Sequence, residues 1–117
     1  EGKTQAQISE QYGVDWEAVM RPSADFRVPG GESLAELRAR LSAVYREVVQ
    51  AHPEQTVVLL THGNAKASLL GALLDLPYES SWRFQITNTG LSDVCDIDGA
   101  PIIRSVNDTA HLNDELR

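Results

Sequence analysis

His62 stands where the chain changes character. Val57-Val58-Leu59-Leu60 is apolar, Thr61-His62-Gly63-Asn64 follows at once, and a second apolar segment begins at Ala65. A strand that gives way to a helix at a histidine and a glycine has a chemical use. In an open α/β sheet, ligands bind beyond the carboxyl ends of the strands. Gly63 lets the backbone approach a ligand with no β-carbon in the way. The amides that open the helix lack intrahelical acceptors and sit at the positive end of its dipole, so they favour an anion. An imidazole beside them is placed to donate a hydrogen bond to a phosphate oxygen. Spacing alone leaves two readings open. One is half of an anion pocket; the other is a partly buried histidine bonded to a neighbouring loop, with Gly63 serving only the turn. Lys66, in the first turn of that helix, faces either a phosphate or solvent, and solvent is the favoured direction.

The other chemistry-bearing residues read as structural. His52 precedes Pro53 at a helix end, His111 lies in a polar tail, and neither forms a metal-ligand spacing with Cys95. Ser33 has no Gly-x-Ser-x-Gly context and reads as a helix cap rather than a nucleophile. Trp16 and Trp82 read as core or loop anchors. Arg38, Arg40 and Arg46 read as a solvated helix face.

The elements that must position His62 follow from local pattern. Thr4-Gln5-Ala6-Gln7 matches a capping box, which predicts a helix over residues 5–12 that stops at Gly13. Residues 14–20 hold one more helical turn around Trp16, and the two prolines and two glycines of residues 21–31 read as a loop. Ser33-Leu34-Ala35-Glu36 is a second capping box. Leu34, Leu37, Leu41, Val44, Tyr45 and Val48 follow it at helical spacing, and the helix ends before Pro53. Residues 56–60 are apolar without alternation, which predicts a strand covered on both faces. Residues 65–74 read as a helix and residues 77–84 as a helical turn around Trp82. Residues 85–88, 91–97 and 101–106 read as short strands, the last two joined through Asp98-Gly99 in a hairpin. The tail, residues 107–117, reads as peripheral. This order predicts an α/β fold: a three-layer αβα sandwich with a mainly parallel sheet and an antiparallel edge.

Composition fits one small domain or part of one. The 117 residues are 42% hydrophobic and 23% charged, the proportions of an ordinary globular chain. A net charge of −7 argues against nonspecific binding to nucleic acid or an anionic membrane, which need a basic face. It leaves room for phosphate held by a few local donors. The longest apolar run, residues 68–76, is broken by Gly71 and Asp75 and is too short to span a bilayer. No basic-then-apolar signal segment opens the sequence. The single cysteine, Cys95, excludes an internal disulfide framework and suits a reducing compartment, so a cytoplasmic location is expected.

Several motifs, in order, resemble the histidine phosphatase superfamily, which includes the cofactor-dependent phosphoglycerate mutases. Glu1-Gly2-Lys3-Thr4 is similar to the end of that family's Trp-Glu-Gly-x-Thr stretch. Pro29-Gly30-Gly31-Glu32-Ser33, followed by Arg38 and Arg40, resembles its substrate-side loop and next helix. Leu59-Leu60-Thr61-His62-Gly63-Asn64 resembles its second histidine motif, and Asn88-Thr89-Gly90-Leu91 and the closing strands also fit. The resemblance implies phosphoryl transfer through a phosphohistidine. A first histidine, from an Arg-His-Gly motif, attacks phosphorus in line; two arginines and the second histidine hold the phosphoryl oxygens, and a glutamate protonates the leaving alcohol. On this chain it implies a catalytic role for His62, with Gly63, Asn64, Glu32 and Ser33 on the substrate side. It requires no metal and no cofactor.

The sequence has no Arg-His-Gly motif, and Glu1 falls several residues past the usual acid position. The resemblance therefore implies that residues 1–117 are the C-terminal part of a single α/β domain, incomplete without an N-terminal half that supplies the nucleophile. It implies a phosphomonoester hydrolase acting on a small phosphate ester. A phosphoglycerate mutase-like phosphotransferase is the alternative, favoured by Asn64. The short span between the Trp-Glu-Gly-like start and the Gly-Glu-Ser-like loop goes against it, since mutases usually carry a longer insertion there. A non-catalytic module that binds an anion or a partner is the third reading. Without central strands beside residues 56–60, the chain alone is expected to fold poorly, swap or self-associate, with a missing N-terminal half or a second copy as its partner.

Overall fold

The computed structural model describes residues 2–14, 19, 23–27 and 30–113. The helical turn expected around Trp16 lies outside them. Within them the chain is α/β. Helix α1 (Gln5–Tyr12), helix α2 (Leu34–Ala51) and helix α3 (Gly63–Leu73) are followed by a 3-10 helix (Tyr78–Arg83) and the strands β1 (Leu91–Ile97) and β2 (Ala100–Asp108).

Both capping boxes form as their residues require. Gln7 N donates to Thr4 Oγ1 at 3.3 Å and Thr4 N to the Gln7 side chain at 2.8 Å, while Gly13, at φ 62°, ends α1 in the left-handed conformation. Ser33 N donates to Glu36 Oε2 at 2.7 Å and Glu36 N returns to Ser33 Oγ at 3.2 Å, opening α2. Arg27 holds the same corner through its 2.8 Å ion pair with Glu36. These bonds from Ser33 and Arg27 keep the Glu36 carboxyl below its ordinary range.

The hairpin turns at Asp98 and Gly99, with φ of 53° and 83°, the paired left-handed geometry that matches strand twist. Gly99 N donates to Asp96 Oδ1 at 2.8 Å, and β1 and β2 pair antiparallel with Ile97 opposite Ala100. The register shifts at Asp93, and β2 continues to Asp108, so Asn107 and Asp108 belong to the sheet rather than to the tail.

The sheet holds fewer strands here than the order of elements predicts. Among the described residues it has two strands, both antiparallel. Residues 56–60 pair with nothing there, and Val58 and Leu60 are 86% and 98% exposed. A strand exists only where a neighbour completes its ladder, and apolarity alone cannot supply one. Residues 85–88 likewise form no strand.

The helices pack α2 on α3, with the 3-10 helix against α3. The buried apolar residues among those described are Ala67 and Leu70, both on α3. Leu34, Leu37, Leu41, Tyr45 and Val48 of the α2 stripe are half-buried, and Val44 is exposed. Trp82 is also exposed, with the Arg83 guanidinium 5.7 Å from its ring centroid, so it is not a core residue. No described helix is long and apolar enough to cross a membrane.

Candidate functional site

His62 is the N-cap of α3. Its backbone is extended (φ −81°, ψ 156°), its carbonyl accepts the Lys66 amide at 2.9 Å, and its side chain is exposed. Neither its imidazole nor any other side chain caps the helix. The first-turn amides at Gly63, Asn64 and Ala65 have no acceptor within the helix, and no acidic residue stands in that turn. Among the described residues the His62 ring makes no hydrogen bond, and Gly63 and Asn64 are exposed beside it. An exposed imidazole, first-turn amides without intrahelical acceptors and the positive end of a helix dipole are thus neighbours along the chain, a combination that can receive an anion. Gly63 has ordinary helical geometry. A β-carbon placed on it would lie 3.5 Å from Ile86 Cγ2, at normal contact distance.

The turn at residues 87–90 lies against the same helix end. The Lys66 ammonium donates to the Gly90 carbonyl, so it points neither to solvent nor to an open pocket. Gly90 N closes the turn on Thr87 O at 3.0 Å. Asn107, on β2, holds the turn from behind: Thr87 N donates to its Oδ1 at 2.7 Å and its Nδ2 donates to Thr87 Oγ1 at 3.1 Å.

Glu32 and Ser33 are occupied otherwise. Glu32 makes a two-pronged ion pair with Arg40 at 2.6 and 3.1 Å, and this hydrogen bonding holds its carboxyl below the usual range. Ser33 is buried with its hydroxyl in the α2 cap. Among the described residues neither makes a hydrogen bond or ion pair with His62. Arg40 and Arg46 are exposed on α2 as expected.

Arg38 is a correction. It is buried, 6% exposed, and its guanidinium donates to Leu76 O (2.6 Å), Pro77 O (3.1 Å), Tyr78 O (3.4 Å) and Ser81 Oγ (3.1 Å). The Tyr78 ring centroid lies 4.6 Å from it. Burial lowers its pKa from the ordinary value. The signal was in the spacing: Arg38 is four residues after Leu34 and three before Leu41, on the face they share. His52 caps the C-terminus of α2 through its backbone N–H to Val48 O, and His111 is exposed near the end of the described chain. No group of three or more His, Cys, Asp or Glu comes together among the described residues.

Comparison with known proteins places this geometry in a family. The chain is 37% identical to a probable phosphoglycerate mutase, GpmB, of Yersinia enterocolitica, over 78% of this chain and 46% of that protein. It is 36% identical, over the same shares, to the corresponding protein of Yersinia pestis. Among solved structures, YhfR of Bacillus stearothermophilus superposes with a TM-score of 0.85 at 21% identity, covering 95% of this chain and 55% of that one. A phosphoserine phosphatase mutant of Entamoeba histolytica, in complex with phosphoserine, superposes with a TM-score of 0.66 at 25% identity, covering 71% and 42%. The chain thus spans about half the length of the curated relatives it matches. Residues 1–109 match the family model itself, and the chain belongs to branch 1 of the histidine phosphatase superfamily.

Proposed function

We propose that these residues form the C-terminal part of one α/β domain of a phosphomonoester hydrolase that works through a phosphohistidine. The nucleophile comes from outside this chain. His62 donates a hydrogen bond to a phosphoryl oxygen and stabilises the charge that grows there in the transition state, and the Gly63 and Asn64 amides share that anion. The observation that carries the reading is the uncapped, exposed start of α3 with the His62 ring beside it. Glu32 and Ser33 stand on the substrate side, with Glu32 oriented by Arg40. The substrate is a small phosphate ester, no metal takes part, and the protein works in the cytoplasm. In the complete domain residues 56–60 are a strand of a mainly parallel sheet inside a three-layer αβα sandwich.

A phosphoglycerate mutase-like phosphotransferase is the second reading. Asn64 and the probable mutases among the relatives favour it. The solved phosphoserine phosphatase favours the hydrolase. Turnover of an aryl phosphate without added metal, in the full-length protein that carries these residues, separates the two. The hydrolase releases inorganic phosphate to water; the mutase passes the group to an acceptor alcohol. His62→Ala in that protein is expected to slow phosphoryl transfer by about 10²-fold or more, the scale of losing one oxyanion donor. A rate within twofold of the parent would remove His62 from the site. Binding of phosphate with no turnover under either assay would leave a non-catalytic anion-binding module.

A further inference from the structure

We propose that Lys66 and Asn107 are positioning residues, which through the turn at residues 87–90 hold the His62 end of α3 in the geometry that receives the phosphoryl group. The proposal rests on the reading of His62 given above. Residues 86–90 run beside the first turn of α3. The Gly90 carbonyl accepts from the Lys66 ammonium, and a β-carbon on Gly63 would come to 3.5 Å from Ile86 Cγ2. The bond from Lys66 ties the start of the helix to the turn, so a shift of the turn carries that end of α3 with it.

The turn is itself fixed from β2. Asn107 bonds both the amide and the hydroxyl of Thr87, and its own amide donates to Ser92 Oγ at 3.1 Å. Its backbone is left-handed, φ 56°, a conformation that asparagine tolerates better than most residues. Gly90 is buried, and a β-carbon there would collide with Asn107 Oδ1 and come within 3.1 Å of Thr87 O. The path from sheet to site is therefore short and made of named bonds: Asn107 to Thr87, Thr87 to Gly90, Gly90 to Lys66, and Lys66 to the helix turn that His62 caps. A displacement on the order of 1 Å at reacting groups can cost about 10²-fold in rate, so a partial loosening has a measurable effect.

The test is a mutant cycle in the full-length protein, with para-nitrophenyl phosphate as substrate. Lys66→Met and Asn107→Ala are each expected to lower kcat about tenfold while KM moves less than about threefold. Because the two act through one turn, the double variant is expected to lose little more than the worse single. Lys66→Arg, which can still donate to the Gly90 carbonyl, is expected within threefold of the parent. Lys66→Met with kcat within twofold, or a double loss equal to the product of the singles, overturns the positioning role. If Asn107→Ala fails to fold, the contrast between Lys66→Met and Lys66→Arg decides alone. His62→Ala is run beside them: its failure to slow the reaction overturns the receptor reading, and the positioning proposal with it. A large His62→Ala loss with an unaffected Lys66→Met overturns only the latter.

Discussion

Arg38 shows what a buried charge needs in this fold. Its guanidinium has lost water and gained three carbonyls and a hydroxyl beyond the end of α3, while Nε stays buried and unpartnered. The planar fork reaches several acceptors at once, and carbonyl oxygens aimed at a guanidinium form charge-assisted hydrogen bonds. Gly71 makes room for it. A β-carbon there would stand 2.7 Å from Arg38 Nη2. Arg38→Met in the full-length protein would take the charged donor away from these part-buried acceptors, at a cost of about 1–3 kcal/mol. Gly71→Ala is expected to cost a similar amount by forcing the guanidinium off its acceptors, about 1–3 kcal/mol. Urea unfolding midpoints measure both, and an unshifted midpoint in either variant would show that Arg38 is not a clamp. Lysine at position 38 offers one ammonium in place of a fork and is expected to restore only part of the loss.

At the scale of elements, α3 is held at both ends by cations from elsewhere in the sequence. Lys66 ties its start to Gly90, and Arg38 ties the chain beyond its end to α2. The hairpin is joined to α2 by a third link, Tyr45 Oη to Asp96 Oδ2 at 3.0 Å. Burial, and then the hydrogen bond to Asp96, push the Tyr45 phenol from 10.0 up to about 12. A pKa raised on folding stabilises the fold fully below the unfolded value and loses that contribution as pH rises through the folded one. Alkaline unfolding should therefore bring a loss between about pH 10 and 12. Tyr45→Phe should remove that part of the pH dependence, and melting curves across the range with no difference between parent and Tyr45→Phe would contradict the link. These links also mark what was legible. The two capping boxes and the Asp98-Gly99 turn are local devices, each complete within four residues, and they formed where the pattern put them. At His62 the start of the helix was legible for the same reason, while the strand expected before it does not form in this chain. Arg38 was not, because its acceptors lie 38 to 43 residues away. Lys66 was missed likewise, its carbonyl lying 24 residues on.

For the whole molecule the governing fact is how little it buries. A compact chain of this length has a radius of gyration of about 13 Å, and this one has 16.1 Å. A folded monomer of 12.8 kDa exposes about 6,300 Å², and this one exposes 8715 Å². The excess includes residues 56–60, where Val57, Val58, Leu59 and Leu60 are 40%, 86%, 49% and 98% exposed. An unpaired apolar segment of this kind offers both a sticky face and free backbone donors, so the 117-residue chain alone is expected to self-associate and to melt without a sharp transition. Light scattering behind a sizing column, with thermal melting, checks this; a monodisperse monomer with a cooperative transition would refute it. Leu60→Lys gives the sharper form of the prediction, because its sign depends on context. In the isolated chain the lysine blunts an exposed apolar segment and should reduce association. In the full-length protein, under the proposed sandwich, position 60 is covered and an unpaired ammonium there should destabilise the fold by several kcal/mol. Equal tolerance in both contexts would mean that residues 56–60 stay open to solvent in the complete protein, and the proposed parallel sheet would lose the strand this chain gives it.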